Sequence, residues 1–412
     1  MSRFLQIHTL TAWPAALLNR DDAGFAKRIP FGDAIRIRVS SQCLKRHWRM
    51  SDGPHALDKL QGSVPTERSR YTFDFYVKKP LIEGGVEAPL AEAIAGKLQE
   101  LFIGVGAEKA KKAAKEEATE ATGTNSVTTP QVVILGKPEL DYALQLGRDA
   151  ASWGIGAKTI AKEMDGRFNK GDMRKNLTAL RLAAQLPAGL NAALFGRMVT
   201  GDVLSAMDAA IHVAHAFTVH GETAEPDYFS AVDDLIASKK MGDHFDAGSG
   251  HINTTELTTG LFYGYVVVDV PLLITNLGYN RDLAAEVVEQ LVHLIATESP
   301  GAKKGSTAPY SRSHLVLTEA GDAQPRTLAN AFFNPIPTKG DMVEQAYQRL
   351  ATHIGELDEM YGDAAARHHA AIGPRAALGT VTGPRGNLSE LAASLGEAVR
   401  ATPIPKRPET PA

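Results

Sequence analysis

The most regular pattern in the chain is at Ile35, Arg36, Ile37, Arg38 and Val39, where apolar and cationic residues alternate strictly. It predicts a strand with one apolar face and one guanidinium face. Phe4 to Leu10 predicts an earlier strand. Ser40 or Ser41 is a good N-cap, and at 100° per residue Gln42, Lys45, Arg46 and Arg49 share one sector while Leu44 and Trp48 lie opposite. A helix with one basic and one packing side is therefore expected directly after the second strand. From about Leu57 to Pro187 the chain turns to Ala, Glu and Lys with helical periodicity, as in Ala107 to Thr122, broken by short apolar runs such as Gln131 to Leu135. Met207, Ile211 and Ala214 would share a face of a helix over Thr200 to Phe217. His220 to Thr254, rich in Gly, Asp, Ser and His, has no clear period and predicts a long functional loop or disorder. Regularity returns with a buried strand over Leu261 to Val270, an amphipathic helix over Leu283 to Thr297 and a strand over Ser313 to Leu317.

Strand, helix, large insertion, strand, helix, strand fits an interrupted βαββαβ order. The expected fold class is α+β: an RRM-like (ferredoxin-like) sandwich with a large helical insertion and a long loop. With 412 residues, 44% of them hydrophobic, the chain suffices for two or three units, and global disorder is excluded. The single cysteine, Cys43, excludes an internal disulfide framework and a Cys-rich zinc module. Met1 to Trp13 lacks a basic lead before an apolar run, so no signal peptide is expected. The most apolar stretch, Leu261 to Ile274, is broken by Gly264, Asp269 and Pro271 and falls short of the ~20 residues a bilayer requires. A cytoplasmic protein without a membrane partner is expected. Thr402 to Ala412, with four prolines, predicts an unstructured tail.

Charge changes this picture locally. The whole chain is near neutral at −3, yet its first 50 residues carry nine Lys and Arg against three Asp. Such a footprint suits a polyanion, because clustered cations release the counterions condensed on phosphates. The unit from Arg36 to Arg49 is the strongest candidate: strand arginines, a helix N-terminus and a basic helix side could follow successive phosphates. A solvated surface is the competing reading, and composition does not decide between them. Asp208, His212 and His215 would share a polar helix face, with His220, His244 and His251 downstream. This resembles a metal-ligand spacing, but a solvated helix face is the favoured reading because no glutamate completes an HExxH pattern. Asp21-Asp22 and Asp233-Asp234 lie on separate segments and are read as turns rather than as a two-metal site. No Walker loop, GxSxG elbow or Cys–His nucleophile signature is present. No metal or other cofactor is expected.

Several blocks together resemble the Cas7 (CasC or Cse4) backbone subunit of type I-E CRISPR Cascade. They are Arg20-Asp21-Asp22, Lys27, Arg38 to Arg49, Phe195-Gly196-Arg197-Met198, Tyr228 to Leu235, Gly260 to Tyr263, Glu298 to Lys303 and Ala329 to Phe332. They occur in the family's order over about Phe4 to Phe332. Departures are Cys43 in place of a small residue, an apparent insertion at Lys239 to Ser249, and a longer tail beyond Asp363. The resemblance implies a hand-shaped subunit: a palm at 1–56, 188–216 and 257–400, helical fingers at 57–187, a thumb at 217–256 and a disordered tail at 401–412. It implies a non-enzymatic protein of antiviral defence that polymerises along a CRISPR RNA (crRNA). Each thumb would displace one guide base in six while base pairing reads the target. Its partners would be CRISPR RNA, target DNA, further copies of itself and other Cascade subunits.

By the same resemblance Arg20, Lys27, Arg38, Ser40, Gln42, Lys45, Arg46 and Arg49 would bind RNA in the palm. Met198 would wedge against the displaced base, where an apolar unbranched side chain suits the job. Tyr228, Phe229, Val232 and Ile252 would supply the thumb's apolar contacts, and Lys303 and Lys304 a second backbone-contacting loop. The alternative is a metal-dependent ribonuclease of the type III CRISPR backbone kind, using a loop aspartate.

Overall fold

The structure is a computed structural model that describes residues 2–104, 127–129, 131–182, 188–197, 204, 206–232, 249–301, 304–362 and 365–407. It divides into two units. The first comprises Met1–Ala56, Val213–Val267 and Val288–Ala398; the second comprises Leu57–His212, Val268–Val287 and Val399–Ala412.

In the first unit, β1 (Phe4–Ala16), β2 (Arg28–Phe31) and β3 (Ala34–Val39) precede helix α1 (Ser41–Arg49). They are followed by β4 (Ala216–Thr218), β5 (Ala224–Val232) and β6 (Ser249–Asp269). Then come α2 (Arg281–Thr297), which belongs to this unit from Val288 on, β7 (Ser313–Gly321), α3 (Met342–Tyr361) and β8 (Ala366–Ala371). The sheet order is β8-β7-β1-β6-β4-β3-β2, with β5 paired to β6. The pairs β1–β7, β7–β8, β2–β3, β3–β4, β4–β6 and β5–β6 are antiparallel. The chain is thus of the α+β class.

Both faces of this sheet are covered, which is why β1 is buried almost without alternation from Leu5 to Thr11. On one face Leu10, Leu261, Tyr263, Leu315 and Leu317 pack with Phe332 and with Ala346, Tyr347, Leu350 and Ile354 of α3. Asp341 caps that helix by accepting the Val343 and Glu344 N–H groups, and Gly362 ends it at φ +70°. On the other face Leu44 and Trp48 of α1 line a small cavity with Trp13, Phe262, Val266 and Ile295.

A charged network crosses the buried centre. Glu319 and His8 are fully buried; Arg326 and Arg367 donate to the Glu319 carboxylate at 2.8 and 2.6 Å, and both reach Asp358. His8 Nε2 lies 3.1 Å from Glu319 and Nδ1 lies 2.9 Å from the Tyr263 hydroxyl. Burial lowers the His8 pKa against the pull of Glu319. Two arginines already balance Glu319 and Asp358, so a neutral ring that donates from Nε2 and accepts at Nδ1 satisfies every group.

The second unit is mainly helical. Helices Ala88–Ile103, Lys137–Ala151, Ala157–Arg167 and Lys170–Leu182 accompany a two-stranded sheet, Thr66–Ser69 with Val133–Gly136. Phe73, Ile94, Leu98, Phe102, Leu140, Leu146, Met164 and Met173 form its core. Glu139 accepts the Gly136 N–H at the start of its helix and pairs with buried Arg197 at 2.6 Å. The helix predicted over Ala107 to Thr122 lies outside the described residues.

Four expectations need correction or extension. The described residues of Thr200 to Phe217 form no helix: Ile211–Val213 and Ala216–Thr218 are strands, because pairing with β3 and β6 outweighs an Ala-rich composition. Within the stretch expected as a loop at His220 to Thr254, the described residues from Ala224 on form a hairpin, with Ala224 to Val232 registered on Thr258 to Ser249. The first strand runs on from Leu10 to Ala16. Arg36 is not on a solvent face but fully buried.

Candidate nucleic-acid interface

Asn19 organises the basic N-terminal region. Its carbonyl accepts the Lys27 N–H at 2.9 Å, the Lys27 carbonyl accepts the Arg38 N–H at 2.8 Å, and its side-chain oxygen accepts the Ser40 N–H at 2.9 Å. Between Asn19 and Lys27 the chain makes a tight turn, with Asp21 bonded to Phe25 through both backbone and side chain. Arg20, exposed, forms an isolated bridge with Ala26. One asparagine thereby joins the turn carrying Arg20 and Lys27 to the strand end carrying Arg38 and to the start of α1.

Ser40 caps α1 by accepting the Cys43 N–H at 3.3 Å, and no acidic residue stands in the first turn. Gln42 and Arg46 are exposed, Lys45 and Arg49 half-buried, and Leu44 and Trp48 buried, as the helical spacing predicts. Arg46, His47 and Arg49 in the last turn also complement the helix dipole. His47 Nδ1–H donates to the Cys43 carbonyl at 2.8 Å, leaving Nε2 to accept the Gly301 N–H at 3.4 Å. Ser299 accepts the Trp13 indole N–H at 2.9 Å and donates to the Ser311 carbonyl at 3.1 Å. The loop that carries exposed Lys304 is therefore anchored beside α1.

The cations lie close enough to act on the same neighbouring groups. His215 bonds Arg38 at 2.9 Å, and its pKa is lowered by burial and by the charges of Arg38, Lys27 and Lys45. Burial pushes the Cys43 thiol up to about 11 against the opposing charges of Lys27 and Arg46. Lys27, Arg38, Lys45 and Arg46 thus share one electropositive region, suited to successive phosphates.

Arg36 does not belong to it. Its guanidinium donates to the carbonyls of Phe31, Thr218, Phe332 and Phe333 at 2.9–3.3 Å. Alternation alone does not reveal that both faces of the strand are covered. Sequence reasoning also passed over Asn19, weighed His215 only as a metal-ligand candidate, and gave His47 and Ser299 no role of their own. Of these, Ser299 sits in a family-like block, whereas Asn19 carries no local signal because its two bonds reach residues 8 and 21 positions away.

Met198 and Lys303 lie outside the described residues, as do Asp233-Asp234 and His244. Tyr228, Phe229 and Val232 are backbone positions of β5 and Ile252 of β6. By register Tyr228 and Ile252 share one face of the hairpin and Phe229 takes the other. His212 and His215 share no helix; His212 bonds the Ala209 carbonyl.

A family model described as CT1975-like protein matches residues 5–395. The chain belongs to the CT1975-like family. This is a Cas7-like family of backbone proteins. Among solved structures, the CT1975-like chain is 26% identical to a chain of a "CRISPR RNA-guided surveillance complex, pre-nicking", with a TM-score of 0.75. The match covers 96% of this chain and 100% of that one. A second, from a "CRISPR RNA-guided surveillance complex", is 22% identical with a TM-score of 0.65 and covers 95% and 99%, a likeness of fold. Comparison with curated proteins finds no match.

Proposed function

We propose that this CT1975-like protein is a CRISPR RNA-binding backbone subunit that polymerises along the guide and presents it for pairing with target DNA. The observation that carries this is the similarity to a surveillance-complex chain over 96% of this chain and 100% of that one. The basic region supplies the chemistry. Arg20, Lys27, Arg38, Lys45, Arg46 and Arg49 are assigned to RNA phosphates, Ser40 and Gln42 to hydrogen bonds at the start of α1, and Lys304 to the neighbouring loop. Contacts of this kind position a strand without reading its bases, which suits a protein that delegates sequence to base pairing.

The finer reading is a type I-E Cascade hand in the cytoplasm. The order β7-β1-β6-β4, flanked by α1 and α2, supports an RRM-like palm, with β2–β3 and β8 added at its edges. The β5–β6 hairpin is read as the thumb, carrying Tyr228, Phe229, Val232 and Ile252, and the helical second unit as the fingers. Met198 and Lys303 keep their proposed roles at the displaced base and in the second loop. The protein acts by binding rather than by catalysis. Expression with the neighbouring gene products, followed by sizing of bound nucleic acid, tests the reading. A stoichiometric RNA of defined length bound to several copies of the chain is expected; an RNA-free monomer under those conditions overturns it.

A further inference from the structure

The β5–β6 hairpin leaves the sheet between two carboxylates. Glu222 stands just before β5, and Glu256 of β6 pairs with Pro226. Both converge on Arg28, the first residue of β2. Arg28 Nε donates to Glu222 at 2.6 Å, one terminal nitrogen also bonds Glu256, and the other donates to the Ala26 carbonyl at 2.9 Å. The second Glu256 oxygen accepts the Ala26 N–H at 2.5 Å. The three side chains are 32%, 27% and 11% exposed, so water screens the cluster only in part. The Glu222 N–H also donates to the Ile35 carbonyl at 2.8 Å. Beyond this root, β5 has β6 as its sheet neighbour, and a two-stranded ribbon is marginal by itself. Its direction therefore depends on what holds its base.

We propose that Arg28 is a positioning residue whose guanidinium, held between Glu222 and Glu256, sets the direction in which the hairpin leaves the palm. Through Ala26 the same guanidinium fixes the turn bearing Arg20 and Lys27, so one side chain aligns the hairpin with the basic region. Without it, two like charges face each other across the hairpin root. Lysine replaces this poorly, because a single ammonium lacks the planar fork that reaches two carboxylates and a carbonyl together. The link to RNA rests on the reading of the hairpin as a thumb.

Pulsed electron resonance on the full chain tests the clamp, with nitroxides at Asp227→Cys and Gln348→Cys in a Cys43→Ser background. Arg28→Ala is expected to broaden the distance distribution and Arg28→Lys to narrow it again in part. Assembly on RNA should weaken about two- to fivefold per copy, the range for a partly exposed ion pair. An unchanged distribution in Arg28→Ala overturns the clamp. Broadening with unchanged assembly upholds the clamp and removes the thumb reading instead. Should Arg28→Ala not fold, Glu222→Gln with Glu256→Gln abolishes both charges at nearly constant shape, and the same outcomes decide.

Discussion

Arg36 sends its guanidinium to four carbonyl oxygens inside the first unit, whereas Arg46 stands exposed on α1. Their removal should have opposite consequences. Arg36→Ala leaves buried acceptors unpaired, at a cost of about 3 kcal/mol or more, and is expected to lower the unfolding midpoint. Lys45→Ala with Arg46→Ala should leave that midpoint nearly unchanged and flatten the slope of log K against log salt by about 0.7 per lost contact on single-stranded RNA. An unaltered slope in the double variant would remove both residues from the RNA interface. His8 and Glu319 predict an acid response. The native state keeps His8 neutral, whereas the unfolded chain protonates it near 6.5, so stability falls as pH drops below that value. Burial alone would raise the Glu319 carboxyl; bonds from His8 and Arg367 and the charge of Arg326 overcome it and hold the group well below its usual range. Its contribution is present above the ordinary carboxylate value of 4.5 and is lost as pH falls through and below it. Melting temperature measured from pH 8 to 2 should therefore decline in two stages. His8→Gln should flatten the first only in part, since His220, His314 and His369 are also lowered by burial.

At the scale of elements, what could be read from the sequence depended on whether the signal was local. The signals for α1 are all local: a serine cap, Leu44 and Trp48 on one side, cations on the other. The predicted helix over Leu283 to Thr297 likewise matches α2 to within two residues, whereas the predicted strand over Leu261 to Val270 covers only the C-terminal part of β6, which begins at Ser249. By contrast β4 is three residues long and exists through its neighbours β3 and β6, so no window on Ala216, Phe217 and Thr218 announces it. The hairpin was hidden because its strands carry polar residues on both sides, which erases period-two contrast. The apolar positions Ala346, Leu350 and Ile354 of α3 did recur at helical spacing and were passed over, beyond the stretch where family-like blocks end. If the hairpin is the thumb, Phe229→Ser with Ile252→Ser should leave melting nearly unchanged and shorten assemblies on a given RNA. A loss of ~1–3 kcal/mol per stacked base, repeated at every copy, makes the effect large. Equal assembly lengths for variant and parent would sink the assignment.

At the scale of the molecule, a filament of identical subunits needs affinity and register rather than rate. Phosphate contacts hold ground and transition states alike and so supply no acceleration by themselves. The purified protein, with or without guide, is expected to cleave neither RNA nor DNA in magnesium or manganese, as judged by gel analysis of labelled substrates. Asp22→Ala, Asp243→Ala and Asp246→Ala should each leave target binding intact. Metal-dependent cleavage that disappears in one of them would promote the ribonuclease alternative. The two bonds of Asn19 carry a further consequence for how such a filament grows. Both are made within one subunit and need no group from RNA, so folding of the chain can itself join the Arg20–Lys27 turn to the head of α1 and shape the cationic surface. Ordering entropy is then spent once, during folding, instead of at each encounter with RNA. Calorimetry should accordingly show a small heat-capacity change per subunit added, whereas Asn19→Ala, which frees the turn from the helix, should make each addition slower, more exothermic and entropically opposed.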